Sequence, residues 1–149
     1  MVKASDVIRS FTTFLADELP NDTPVTLVTK DELAVDDKGQ FINAEGVNIV
    51  IANLGPDPVC NAISKQAIDI ILYVCGSDDL DTIDLIEDVK SAIDVGSCPL
   101  YLYNAENPDG LIIPGSLVSW IVEINRGFMN EAIRSNSFWR GSITLRYNQ

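Results

Sequence analysis

Apolar residues recur every three or four positions in two segments of the chain, which predicts two amphipathic helices. The first covers residues 5–18 with Ser5 as its N-cap, and its apolar face consists of Val7, Ile8, Phe11, Phe14 and Leu15. The second follows the acidic turn Gly76–Asp79 and ends before Gly96. Its predicted buried stripe consists of Leu80, Ile83, Ile86, Val89 and Ile93.

Other segments have the composition or the two-residue period of β-strands. Lys65–Cys75 is apolar on both faces apart from Asp69, which predicts a central strand covered on both sides, by the helices on one and by a neighbouring subunit on the other. The remaining predicted strands are Val25–Thr29, Val47–Leu54, Pro99–Tyr103, Leu117–Arg126 and Phe138–Tyr147.

The last two predicted strands form a hairpin whose register follows from its apolar faces. Placing both apolar faces on the same side of the sheet favours pairing Trp120 with Leu145 and Val122 with Ile143. The connection, residues 127–137, is long for a hairpin loop. It carries Phe128, Met129 and Ile133, apolar side chains that favour contact with another polypeptide.

Together these elements predict an α+β fold with one mixed, mainly antiparallel β-sheet. Two main helices pack on one face of this sheet, and a long C-terminal hairpin completes it. The 149 residues fit a single domain, 1–149, and a chain of this size buries enough surface to need no disulfide or metal for stability.

Composition excludes several classes of function. The chain has no histidine, which removes serine-histidine and cysteine-histidine catalysis within one chain but leaves carboxylate or lysine chemistry. A net charge of −12 opposes nucleic-acid recognition through phosphates. The N-terminus does not resemble a signal peptide and no apolar run is long enough to span a bilayer, so we expect a soluble protein. The three cysteines, Cys60, Cys75 and Cys98, are expected to be free thiols.

Two carboxylate features are candidate chemical sites. The acidic group from Asp78 to Asp88 lacks the spacing of a calcium loop, and its first members favour the start of a helix electrostatically. Asp69 interrupts an apolar strand, where a carboxylate acts as an acid or base, contacts a subunit, or pairs with a residue such as Arg140. We predict no enzyme activity and no catalytic, cofactor-binding or metal residues.

A subunit interface is the alternative that the charge distribution favours. All basic residues after position 90 are arginines, whereas the first part of the chain is strongly acidic, so the acidic part and the arginine-bearing hairpin either meet across a subunit boundary or are both solvated surface. The predicted interface residues are Asp69, Phe128, Met129, Ile133, Arg134, Arg140 and Arg146.

The order of the elements resembles that of the tail terminator, or tail-completion, proteins of long-tailed bacteriophages and of related neck proteins. The resemblance rests on the apolar strand KQAIDIILYVC, the acid-capped helix SDDLDTIDLIEDVKSAI, the short strand CPLYLY and the terminal strand FWRGSITLRYNQ, and it covers most of the chain.

The resemblance implies a structural virion protein that is made in the host cytoplasm and forms a ring, usually a hexamer. Such a ring caps the tail tube, joins it to the head and neck, and lets genomic DNA pass through its lumen without specific binding. Its partners are the tail tube protein and neck or connector proteins. The alternatives are another neck, connector or tail tube subunit, or a small-molecule binding module.

Overall fold

A computed structural model of the protein describes residues 2–20, 22–28, 45–56, 65–103, 106–124 and 138–148. These residues form two helices and six strands. In chain order they are α1 (Ala4–Glu18), β1 (Val25–Leu27), β2 (Gly46–Pro56), β3 (Lys65–Cys75), α2 (Asp79–Ile93), β4 (Ser97–Leu102), β5 (Leu111–Ile124) and β6 (Phe138–Asn148).

The described strands form one sheet in the order β1-β2-β3-β6-β5-β4. β1 pairs with β2 in parallel, and the other neighbouring strands are antiparallel. The sheet is curled as a half-barrel. The C-terminal strand β6 therefore lies inside the sheet, between β3 and β5. This arrangement confirms the predicted α+β fold with a mixed, mainly antiparallel sheet and a C-terminal hairpin.

Both helices contribute to a core on one face of the sheet. Every second residue of β3 faces this core and is almost completely buried, namely Ile68, Ile70, Leu72 and Val74. The helices contribute Val7, Ile8, Phe11 and Leu15 from α1 and Ile86, Val89, Ala92 and Ile93 from α2. A one-residue slip of β3 would turn its buried set to the opposite face, so this core fixes the register of the sheet.

The hairpin register confirms the prediction from the apolar faces. Trp120 pairs with Leu145 and Val122 pairs with Ile143. Trp120 and Leu145 are buried in the core together with Val118. β5 begins before its predicted first residue, and β6 ends one residue after its predicted last residue. β2 continues through Gly55 and Pro56 instead of ending at Leu54.

Helix α1 seals one edge of the sheet with two buried polar side chains. The Tyr101 N–H of β4 donates to the Ser10 hydroxyl over 2.9 Å, and the Tyr103 N–H donates to Asp6 Oδ1 over 3.3 Å. Unpaired N–H groups on an edge strand invite pairing with another chain, and α1 occupies two of them. The predicted N-cap Ser5 is wrong, because the helix begins at Ala4 with Lys3 as an N-cap that makes no side-chain cap bond.

We expect Ser10→Ala to lower the free energy of unfolding by about 1–3 kcal/mol, because it leaves the Tyr101 N–H without its acceptor near the core. Thr12→Ala is the matched control: Thr12 makes the same kind of bond to the carbonyl four residues back, without serving β4. Urea unfolding followed by circular dichroism measures both variants. Equal losses in the two variants would contradict a special role for Ser10.

Helix α2 begins and ends as its sequence predicts. Asp78 is the N-cap, and its Oδ1 accepts a hydrogen bond from the Asp81 N–H over 2.8 Å. Asp81 in turn accepts bonds from the N–H and the hydroxyl of Ser77. After the helix, Gly96 adopts φ +79°, a left-handed conformation suited to glycine, and donates its N–H to the Ile93 carbonyl over 3.2 Å.

The predicted buried stripe of α2 is wrong in its first two turns. Leu80 is 75% exposed and Ile83 is 41% exposed. Thr82 is fully buried instead, because its hydroxyl accepts a bond from the Gly76 N–H over 2.8 Å and donates to the Asp78 carbonyl over 2.7 Å. A polar residue thus takes the inward position where the chain enters the helix, and Leu80 and Ile83 turn outward.

Candidate interaction surface

The sheet face opposite the helices, here called the second face, is built from the alternate residues of β3, β5 and β6. Its members on β3 include Asp69, Ile71 and Tyr73, each partly exposed. Strand pairing places Ser142, Thr144 and Arg146 of β6 on the same face, and Ser119 of β5 next to Arg146. The sequence predicts that β3 is apolar and covered on both faces. In the structure the helices cover one face, and the second face carries both polar and apolar side chains.

Asp69 is held by a neighbour on β6. It pairs with Thr144 across the two strands, and the Thr144 hydroxyl donates to Asp69 Oδ1 over 2.8 Å. Arg146 pairs with Ala67 and is therefore a diagonal cross-strand neighbour of Asp69. The backbone of Arg140 pairs with Tyr73, four residues along β3 from Asp69. Among the described side chains, the hydrogen bond to Asp69 thus comes from Thr144, and the side chain of the suggested partner Arg140 lies outside the part that the structure describes.

The fold brings together some of the predicted interface residues. Asp69 and Arg146 lie on the second face within one diagonal step, although 77 positions separate them in the sequence. Arg140 is described in its backbone and pairing only. The other predicted residues, Phe128, Met129, Ile133 and Arg134, lie outside the described residues.

One end of the second face is more accessible than the other. Where β2 pairs with the last part of β3, Asn48 and Val50, the partners of Tyr73 and Ile71, are buried. At the opposite end, Leu117 of β5 is 60% exposed, and Pro99, its partner on β4, is exposed as well. Ala67 of β3 and Ser119 of β5 pair with Arg146 of β6 from its two sides. Lys65 lies two residues before Ala67 on β3, and Leu117 lies two residues before Ser119 on β5.

Four residues define the Arg146 patch: Pro99 and Leu117, which are exposed, and Lys65 and Arg146, which are half-buried. The patch combines two cations with two apolar side chains on a chain whose net charge is −12. Sequence reasoning found Arg146 but missed the other three. The signal was present in the pairing predicted for Trp120 and Leu145, because the same register places Ser119 beside Arg146.

A shallow cleft lies where β1, the start of β2 and the end of β3 approach α2. Its volume is about 260 Å³, and its lining includes the carboxylates of Asp22, Glu45, Asp81, Asp84 and Asp88. The hydrogen bonds from Ser77, through its hydroxyl and then its backbone N–H, lower the pKa of Asp81. Within the described part of the chain, no group of three or more histidine, cysteine or carboxylate side chains is placed to hold a metal ion.

Two of the cysteines, Cys75 and Cys98, are free, as predicted, and both are buried, whereas Cys60 lies outside the described residues. Burial raises the pKa of Cys98 to about 12. Burial, followed by the negative charge of Glu45, also raises the pKa of Cys75. Thiols that stay protonated at neutral pH are poor nucleophiles, so both residues are structural.

Comparisons with known proteins leave the family of this chain open. A scan of protein-family models found no match, and a search of curated proteins also found none. Among the residues that the structure describes, no helix has both the length and the apolar character required to cross a membrane. The function is therefore inferred from the fold and from the surfaces that it presents.

Proposed function

We propose that this protein is the tail terminator of a long-tailed bacteriophage, a structural virion subunit that forms a ring of about six copies. The ring caps the tail tube and joins it to the head and neck. The observation that carries the proposal is the order of its elements. An N-terminal helix, a two-sided central strand, an acid-capped helix, a short edge strand and a C-terminal hairpin form one sheet with both helices on one face.

The charge of the chain supports a conduit for DNA. The net charge of −12 gives the ring acidic surfaces, which repel phosphate groups. DNA then passes through the lumen without specific binding. In this role the subunit has polypeptide partners, the tail tube protein on one side and neck or connector proteins on the other.

The proposed role requires no catalysis. The sequence has no histidine to act as a general base, and the buried thiols of Cys75 and Cys98 are held in their protonated form by raised pKa values. The carboxylate of Asp69, which the sequence offered for acid–base chemistry, accepts a hydrogen bond from Thr144 across the sheet. A structural role explains this bond as cross-strand pairing.

Solution mass and imaging test the proposal. Light scattering of the purified full chain over a range of concentrations is expected to give a mass near six times that of one chain. Negative-stain images should then contain closed rings with a central opening. Open filaments would favour a tail tube subunit instead, and a chain that remains monomeric with no rings at any concentration would contradict a self-assembling terminator.

Charge reversal at the hairpin arginines gives a second test. We expect Arg146→Glu, and Arg140→Glu likewise, to reduce the ring fraction about tenfold, and to do so most strongly at low salt, where charges are least screened. Arg9→Glu is the matched control, because Arg9 is exposed on α1, where its guanidinium lies over the Tyr103 ring at 5.7 Å from the centroid. Ring fractions are measured by size-exclusion chromatography in low and high salt. Unchanged assembly of both hairpin variants would remove these arginines from the interface.

A further inference from the structure

The solvent face of α2 carries apolar side chains that the fold does not bury. Leu80 is the most exposed large hydrophobic residue among those described, and Ile83 follows one turn later. Asp84 and Glu87 are exposed on the same side, so the four residues stand at positions i, i+3, i+4 and i+7. This is the spacing with which a helix docks into a groove of another protein.

This face is separate from the residues that stabilise the helix itself. The core contacts of α2 come from Thr82, Ile86, Val89 and Ile93 on the opposite side. The helix start is capped by Asp78 and Asp81, which lie before or beside the solvent face. The solvent face therefore combines two apolar residues, Leu80 and Ile83, with a negative charge that the fold does not need.

The Arg146 patch has the complementary character. It presents Lys65 and Arg146, two cations on a strongly acidic chain, beside the exposed apolar side chains of Leu117 and Pro99. Opposite charges that surround apolar contacts favour association and fix its register. Charge complementarity thus points to a second copy of this chain as the partner of α2.

We propose that the solvent face of α2 docks on the Arg146 patch of a neighbouring copy. Leu80 and Ile83 then contact Leu117 and Pro99, while Asp84 and Glu87 face Arg146 and Lys65. This inference rests on the proposed ring function and names the two surfaces that join its subunits. In this arrangement a helix of one subunit covers the second face of the next, as the chain's own helices cover the first.

The dimensions of the two surfaces agree. From Leu80 to Glu87 the helix rises about 10 Å. On the sheet, Leu117 is a diagonal neighbour of the Arg146 position at about 7–8 Å, because Ser119 pairs with Arg146 and Leu117 lies two residues earlier. One α2 segment therefore covers both the apolar and the basic part of the patch.

Such a contact is heterologous, because it joins two different surfaces. Each copy has one α2 face and one Arg146 patch, and a neighbouring copy covers both only when a ring closes. This contact makes a specific prediction for charge-reversed variants. In a solution of one variant, the reversed surface meets the normal surface of other copies and is repelled by it. In a mixture of the two variants, it meets the reversed surface of the other variant and is attracted by it.

The test uses two double variants of the full chain. Asp84→Arg with Glu87→Arg makes the α2 face basic, and Lys65→Glu with Arg146→Glu makes the patch acidic. Each variant alone is expected to lose the assembled mass measured by light scattering, a decrease of about sixfold for a six-membered ring. An equimolar mixture of the two is expected to regain it, because every contact in the mixture again joins opposite charges.

Matched controls separate this contact from general charge effects. Asp17→Arg with Glu18→Arg makes the same charge change at exposed sites on α1, and Lys3→Glu with Arg9→Glu does so for the cations. Both controls should keep the wild-type mass. Circular dichroism confirms that every variant is folded. Leu80→Asp, compared with Val95→Asp at a second exposed apolar site, tests the apolar part of the contact without changing any of the four charged positions.

The outcomes distinguish this inference from the proposed function. If the wild-type chain forms rings and the two double variants and Leu80→Asp form them equally well, the ring stands and the contact between α2 and the Arg146 patch is wrong. If the wild-type chain and the mixture both stay monomeric, the contact and the ring are both contradicted. Loss of mass in each variant and recovery in the mixture would support the contact.

Discussion

Replacing Gly46 with alanine is expected to lower the free energy of unfolding by about 3 kcal/mol, a large change for a single methyl group. Gly46 begins β2 with φ +97°, a conformation that residues with a side chain rarely adopt. An added Cβ would also collide with the Pro24 carbonyl oxygen and lie 3.0 Å from the Cβ and Cδ atoms of the Pro24 ring. The backbone must therefore move where β1 joins β2.

This contact follows from the parallel pairing of β1 and β2. The Val47 N–H donates to the Pro24 carbonyl over 2.8 Å, which draws that carbonyl onto the start of β2. Any shift that makes room for a Cβ at Gly46 lengthens this hydrogen bond and displaces Val47, which is fully buried in the core. The strain and the loss of packing thus act together.

Gly55→Ala in the same strand is the control for Gly46→Ala. An added Cβ at Gly55 has no atom within 4 Å, and the residue does not have a positive φ. We expect a change within about 0.5 kcal/mol, as for ordinary surface substitutions. Urea unfolding followed by circular dichroism compares the two variants with the wild-type chain. Similar stabilities for both would show that the start of β2 tolerates a side chain.

The sequence predicted most reliably those features that depend on alternation within one segment. The pairing of Trp120 with Leu145 was predictable because each strand of the hairpin has one apolar face, and only registers that place both faces in the core are favourable. The extent of β3 was predictable for the same reason. The apolar period of α1 likewise identified the residues that pack against the sheet.

Features that depend on contacts between distant segments were not predictable. The insertion of β6 between β3 and β5 has no local signal, yet it brings Asp69 and Thr144 together across the sheet. The bond from the Tyr103 N–H to Asp6 likewise depends on where β4 lies. The outward turn of Leu80 similarly depends on the hydrogen bonds that draw Thr82 inward.

These differences bear directly on the candidate site. A helix period alone assigned Leu80 and Ile83 to the core, and that assignment concealed an exposed apolar face on α2. The alternation of β3 indicated a second face that needs a cover. The solvent face of α2 and the second face of the sheet are separate surfaces of one chain. In the proposed ring, the α2 face of one copy covers the second face of its neighbour.

Trp120→Ala is expected to lower the free energy of unfolding by about 3–5 kcal/mol, the range for truncating a large buried aromatic residue. The Trp120 ring packs edge-on against Phe11 with a centroid distance of 5.2 Å and lies 5.5 Å from the ring of Phe14. Its indole N–H also donates to the Ile93 carbonyl over 2.8 Å at the end of α2. One side chain therefore connects β5 to both helices.

Trp120→Phe separates the two contributions of this residue. Phenylalanine keeps an aromatic ring against Phe11 and Phe14 but leaves the Ile93 carbonyl with the Gly96 N–H as its donor, so we expect a loss of about 0.5–1.5 kcal/mol, the net contribution of one hydrogen bond. Urea unfolding gives both free energies, and hydrogen exchange of the backbone amides in the last turn of α2 measures whether loss of the bond loosens that turn. If Trp120→Phe were as destabilising as Trp120→Ala, ring packing would contribute little. If it were neutral, the bond to Ile93 would not hold the end of α2, and β5 would be joined to that helix by apolar packing alone.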